Sequence, residues 1–177
     1  MSTPEHAPQN RLGRGMLYIA WIIVLGLLTY AAGLWEQKQI NPNATPLSNH
    51  HQGRVDVILH QNRWGHYVTS GLINQSEVLF LLDTGASEVS IPESIAHSLG
   101  LEKGPPLRRI TANGEITVYA TQIDQLSIGD IKLNNVSASI NPHSDDHVIL
   151  LGMSVLKRVD FSQTGKQLTL RQMPDSY

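Results

Sequence analysis

The sequence contains no cysteine. Disulfides, thiolate metal sites and a cysteine nucleophile are therefore excluded. The compartment stays open, because thiol-free proteins occur on both sides of a membrane. A strong charge of either sign is also missing. The net charge is −2 over 177 residues, and from Val55 onward 13 acidic residues face 9 basic ones, a difference of about −4. That balance offers no electrostatic footprint for a polyanion, so no nucleic-acid partner is expected. No internal repeat of solenoid period occurs. Long apolar runs are absent except for one.

That run is Met16 to Leu34, which carries no charge. Its length is close to the roughly 20 residues that cross a bilayer as a helix. Tyr18 and Trp21 lie near one end, and Tyr30 and Trp35 near the other, where interfacial aromatics are expected. Arg11 and Arg14 precede it, whereas Glu36 and Lys38 cancel after it. The positive-inside rule then puts the N-terminus in the cytoplasm and the remainder outside. Ala31-Ala32-Gly33 would suit a signal peptidase, but the run exceeds the apolar core of a signal peptide, which favours an uncleaved anchor. The expected organisation is a polar, disordered tail over 1–15, an anchor over 16–35, a flexible linker over 36–54, a folded domain over 55–172 and a frayed tail over 173–177.

From Val55 the pattern becomes one of short strands with frequent turn signals. Val55–Leu59, His66–Ile73 and Leu107–Thr111 read as strands, as do Ile116–Ile123, Leu126–Ile128, Ile131–Leu133, Val136–Ile140 and Val148–Gly152. Asn113-Gly114 and Gly129-Asp130 sit between such runs as hairpin turns. Short helices are expected at Pro92–Leu99 and Met153–Arg158. The residues alone point to an all-β barrel or sandwich.

The most informative stretch is Val78 to Pro92. The apolar run Val78–Leu82 has the length of a buried strand and leads straight into Asp83-Thr84-Gly85-Ala86. A carboxylate at the end of a buried strand is costly unless it is hydrogen-bonded, paired or used in chemistry. Gly85 allows a sharp turn beside it, and alternation then resumes through Val89 and Ile91. The bland reading is an Asp that caps a turn between two strands.

Apolar-apolar-Asp-Thr-Gly-Ala resembles the active-site loop of aspartic proteases. One copy in a short chain resembles the retropepsin-like branch. Further features fit at suitable distances: the Asn113-Gly114 hairpin where that family places a flap, the string Leu150-Leu151-Gly152 before a short helix, and the closing strand Leu168-Thr169-Leu170. With the preceding apolar run, the chain is similar to the bacterial, membrane-tethered subgroup. The resemblance implies an all-β, closed retropepsin-like barrel with one or two short helices, preceded by a single transmembrane helix. It also implies a domain outside the inner membrane and a homodimer hydrolysing peptide or protein substrates without a cofactor or metal. In such a dimer two Asp83 carboxylates would share one proton and divide the roles of base and acid toward an activated water. Thr84 would brace the two loops, Gly85 would let substrate backbone pass, and Ala86 would leave space. Ala112, Asn113 and Gly114 would form the flap tip over the substrate, and Leu150, Leu151 and Gly152 would support the loop from behind.

Other constellations carry less. His143-Ser-Asp-Asp-His147 holds metal-type side chains but reads as a solvated acidic loop. Ser87 and Ser154 each begin like a nucleophile elbow and lack its closing glycine. Arg108-Arg109 beside the flap reads as a solvated pair, with contact to substrate acids as the other possibility. A tethered, non-catalytic β-domain that binds envelope proteins, or peptides by strand addition, is the alternative to an enzyme, with a structural envelope protein as a second.

Overall fold

The computed structural model describes residues 9–111 and 114–173. The chain divides into two compact units, one ending at Lys38 and one starting at Gln39.

Helix α1 (Gln9–Ile40) contains the apolar run. Gly15–Ile40 is long and apolar enough to cross a membrane, and none of it is buried in protein. Its one aliphatic hydroxyl there, on Thr29, donates back to the carbonyls of Leu25 (3.0 Å) and Gly26 (2.9 Å). A polar group satisfied within its own helix adds little cost in hydrocarbon.

Among the described residues, the second unit is built from eleven strands and two short helices. Two-residue turns with positive φ, at Gln52-Gly53 and Asn74-Gln75, close the hairpins β1–β2 (Leu47–His51, Arg54–His60) and β3–β4 (Val68–Ile73, Ser76–Leu82). Such turns match strand twist, which is why polar residues tolerant of positive φ occupy them. After β5 (Val89–Pro92) comes helix α2 (Glu93–Ser98). The long hairpin of β6 (Pro106–Thr111) and β7 (Gly114–Ile128) follows, then β8 (Ile131–Asn141), β9 (Ile149–Leu151) and helix α3 (Met153–Leu156). The hairpin β10 (Asp160–Thr164) and β11 (Gln167–Gln172) ends the described chain. The runs expected as separate strands at Ile131–Leu133 and Val136–Ile140 are one strand, and its ladder with β7 is interrupted at Asn135, whose φ is 52°.

The expectation of a closed all-β barrel is corrected by the sheet topology and by the helix content. The strands divide into a four-stranded sheet, β1-β2-β11-β10, and a seven-stranded sheet, β3-β4-β9-β5-β8-β7-β6. The end strands of the larger sheet, β3 and β6, do not pair with each other. β3 meets β7 at only two residue pairs, Leu72↔Ser127 and Ile73↔Leu126. The class is mixed α/β, with one N-terminal apolar helix and mixed parallel and antiparallel pairing.

The reason lies on the outer edge of β3. Asn43, only 3% exposed, bridges to Thr69 as a parallel partner. Its carbonyl accepts from Ser70 N–H (3.1 Å), and its amide donates to the carbonyls of His60 (2.9 Å) and Val68 (2.6 Å). His60 N–H returns a bond to its side-chain oxygen (2.7 Å). The segment around Asn43 thus takes the hydrogen-bonding positions that barrel closure would need. Residues 36–54, read from composition as a flexible linker, hold this buried asparagine and strand β1. An Asn-Pro-Asn run looks like a loop by composition and becomes structure only through distant backbone partners.

One core joins both sheets. Phe80, Ile73, Ile91, Ile123, Ile140, Ile149 and Leu151 come from the larger sheet, and Val57, Leu59 and Leu170 from the smaller. All are at most 1% exposed apart from Leu170 at 2%. Burying such side chains contributes about 1.5–3 kcal/mol each, and this burial fixes the strand ends from which the next segment projects.

Candidate active site

β4 carries the apolar run into the core and pairs in parallel with β9: Phe80↔Ile149, Leu81↔Leu150, Leu82↔Leu151. The ladder continues to the aspartate, since Asp83 N–H donates to Leu151 C=O (3.1 Å). The chain then turns on the Asp83 side chain. Oδ1 accepts from Gly85 N–H (2.8 Å), and Ala86 N–H reaches back to Asp83 C=O (3.3 Å). A Cβ at Gly85 would lie 3.2 Å from Oδ1, tighter than ordinary contact. Glycine there keeps the turn snug against the carboxylate.

The loop is held from behind by the segment after β9. Met153 N–H donates to Ala86 C=O (2.8 Å). Gly152 passes so close that a Cβ would overlap the carbonyl oxygens of Ala86 (2.6 Å) and Glu88. Ser154 Oγ accepts from Val89 N–H (3.1 Å) and donates to Ser137 C=O (3.0 Å), tying β5 to β8. Its hydroxyl is a structural clamp.

Asp83 is half-buried and borders two cavities. One, of about 390 Å³, is lined by Gly85, Ser87, Glu88, Arg109 and Ile110, among others. The other, of about 310 Å³, is lined by Thr84, Tyr67, Leu156, Phe161 and Leu168, among others. The Tyr67 hydroxyl is buried there without a hydrogen-bond partner among the described residues. The expected site residues fall into three groups. Asp83, Thr84, Gly85 and Ala86 form the loop. Leu151 and Gly152 back it, with Leu150 facing the larger cavity. Of the flap tip, Ala112 and Asn113 lie outside the described residues, and Gly114 pairs with Thr111 at φ 111°.

The β6–β7 hairpin meets the loop through an ion pair that the sequence did not disclose. Arg109 Nε and Nη2 both donate to Glu88 Oε1 (3.1 and 2.8 Å), and the Glu88 side chain is only 18% exposed. Arg108, in contrast, points to solvent and lies 3.4 Å from Glu115 on β7. The two arginines are therefore not an equivalent solvated pair. Twenty-one residues separate Arg109 from Glu88, so no local pattern could have matched them. Next to this tie Ile110 is 92% exposed and lines the larger cavity. The His143–His147 loop stands apart from the site, with Ser144 Oγ bonding to Asp146 (3.1 Å). Among the described residues no three His, Asp or Glu side chains converge to hold a metal ion.

Residues 69–158, from β3 through the turn after α3, match the family described as gag-polyprotein putative aspartyl protease. The chain belongs to that aspartyl protease family. It is similar to the crystal structure of a retropepsin-like aspartic protease from Rickettsia conorii. The TM-score is 0.58 at 26% identity, over 72% of this chain and 96% of that one. Two uncharacterized relatives also align. A protein of the cobV 5′ region in a Sinorhizobium species is 26% identical over 88% of this chain and 72% of its own length. A Rickettsia prowazekii protein is 29% identical over 65% of this chain and 50% of its own length. The aspartyl protease family and the retropepsin-like fold support a protease function. The family match begins past α1, so the helix is no part of it.

Proposed function

We propose that this chain is a membrane-anchored aspartic endopeptidase whose catalytic residue is Asp83, acting with Asp83 of a second copy. The observation that carries this reading is the position of the carboxylate. It stands where strand β4 leaves the core, one oxygen is fixed by Gly85 N–H, and it borders both cavities. Peptide hydrolysis without a covalent nucleophile needs one group to take a proton from water and another to give one to the scissile carbonyl. Two carboxylates in contact hold a single proton between them and so supply both roles. One copy offers one such aspartate, and a two-fold axis beside the loops supplies the other.

In this reading the cavity lined by Glu88, Arg109 and Ile110 receives the peptide, and residues 112–114 close over it. Thr84, exposed at the loop apex, braces its counterpart across the axis. Gly85 and Ala86 leave room for substrate backbone, and Leu150, Leu151 and Gly152 hold the loop. Met16–Leu34 anchors the chain, with Arg11 and Arg14 keeping the N-terminus in the cytoplasm. The protease domain is then periplasmic or otherwise extracytoplasmic.

The test is cleavage of a peptide library by the full chain in nonionic detergent, across a dilution series and beside Asp83→Asn. Turnover that rises with protein concentration and vanishes in the variant is expected. Full turnover by a strict monomer would refute the dimer, and turnover by the variant would refute the role of Asp83. One feature favours a second reading. β10 is an edge strand with all five residues exposed, a surface that could bind an extended peptide by strand addition without cleaving it. Peptide capture without cleavage in the same experiment would select that reading.

A further inference from the structure

The active-site cavities do not account for a third concavity of about 420 Å³, on the other side of α3. It shares no lining residue with either cavity beside Asp83. Its walls carry Lys132 from β8, Lys157 and Arg158 from the turn after α3, and Arg171 from β11. Among the described residues, Asp160 is its only acidic lining residue. Four cations and one acid converge in a region that carries about four more acidic than basic residues overall, so this concentration runs against the charge of its surroundings.

The cleft is built rather than incidental. Leu133 and Val159 are buried at its base. Gln172 spans it, accepting from Lys132 N–H (3.1 Å) and donating to Lys132 C=O (2.8 Å), which ties β11 to β8. Arg158 Nη1 donates to Asn134 C=O (2.7 Å), which orients the guanidinium and leaves its remaining N–H groups without a partner among the described residues. Arg171 Nε donates to Asp56 Oδ1 (3.1 Å). Arg54 Nε lies 3.2 Å from the same oxygen but makes no hydrogen bond to it. Two guanidinium groups thus share one carboxylate, and a positive charge is left over. Lys132 and Lys157 have no acidic partner among the described residues.

We propose that this cleft binds a phosphate group. A carboxylate is satisfied by one bidentate arginine, whereas donors arriving from β8, from the turn after α3 and from β11 suit an anion with three oxygens pointing different ways. A chain with a membrane-length helix meets that group from two sources, free phosphate and anionic lipid headgroups. Because Lys157 and Arg158 directly follow α3, whose Leu156 lines a cavity beside Asp83, the bound anion would clamp the end of the helix that backs the site. The proposal does not depend on Asp83 being catalytic.

The experiment is thermal unfolding of the full chain in nonionic detergent micelles. Inorganic phosphate is titrated against chloride at matched ionic strength. In parallel arms the micelles are doped with phosphatidylglycerol or phosphatidylcholine. A saturable rise in Tm of about 5 °C is expected at roughly ten times Kd. A rise with phosphate identifies the free ion as the source, and a rise confined to phosphatidylglycerol identifies the headgroup. The exposed double variant Lys132→Ala/Lys157→Ala should lose the rise, which separates site binding from the general stabilisation that phosphate gives any protein. Asp160→Asn should shift the midpoint to lower anion concentration, an effect that a purely structural role for Asp160 would not produce. The absence of a rise in both arms, with phosphate equal to chloride and phosphatidylglycerol equal to phosphatidylcholine, would overturn the proposal, as would an undiminished rise in the double variant.

Discussion

Two loops of this chain place aspartate beside a hydroxyl residue, Asp83 next to Thr84 and Asp145 next to Ser144, and they differ in almost everything else. The loop at Asp83 is wired to its surroundings. Its amide extends the parallel ladder to Leu151, its carboxylate takes Gly85 N–H, Ala86 receives Met153 N–H, and Gly152 presses against it from behind. The loop over His143–His147 holds two histidines and two aspartates, a richer set by composition. Among the described residues its hydrogen bonds are local: His143 N–H to Asn141, and Ser144 with Asp146. Reactive side chains become a site when distant backbone fixes them against a cavity, and composition alone does not do this.

The sharpest way to break that comparison is to neutralise each loop in turn. Asp83→Asn should reduce peptide cleavage by about 10³-fold or more, equivalent to roughly 4 kcal/mol of barrier, with an unchanged circular dichroism spectrum. Gly152→Ala acts on the same loop through its support. The added methyl meets two carbonyl oxygens, so unfolding in urea should show a loss of about 3 kcal/mol or no folded protein. Ser154→Ala removes a clamp that serves Val89 N–H and Ser137 C=O, and should cost about 1–2 kcal/mol by the same measurement. Survival of cleavage in this variant would also separate the clamp role from that of a nucleophile. Arg109→Ala releases the hairpin from Glu88. The pair is partly exposed, so stability should change by no more than about 1 kcal/mol; the readout is KM for peptide, which should rise severalfold as the hairpin loosens. Asp145→Asn should change neither activity nor stability beyond about 0.5 kcal/mol. If it matched Asp83→Asn, the distinction between the loops would collapse.

The parts of this picture legible in the sequence are those encoded by neighbours in the chain. The apolar strand before Asp83, the glycine after it, the turns at Asn74-Gln75 and Gly129-Asp130, and the two short helices are local patterns. The string Leu150-Leu151-Gly152 was recognisable, although why its glycine is needed appears only when two carbonyls 64 or more residues earlier in the chain press on it. The Arg109–Glu88 tie, the basic cleft assembled from β8, the turn after α3 and β11, and the partition into two sheets are long-range facts. Each depends on which edges meet, and strand periodicity carries no record of that. The closed-barrel expectation failed at a residue of this kind, because Asn43 belongs to no strand and yet occupies the edge of β3.

Asn43 also decides where this domain can be cut loose. A protease nicking the chain after Asn43 would leave His60 N–H and the carbonyls of His60 and Val68 without their side-chain partner, and would strip the bridge from β3. A cut at Ile40 or before it leaves all of those bonds intact. A cut upstream of Asn41 would therefore release a domain with these bonds in place, whereas a cut inside 43–54 would release one already partly unlaced.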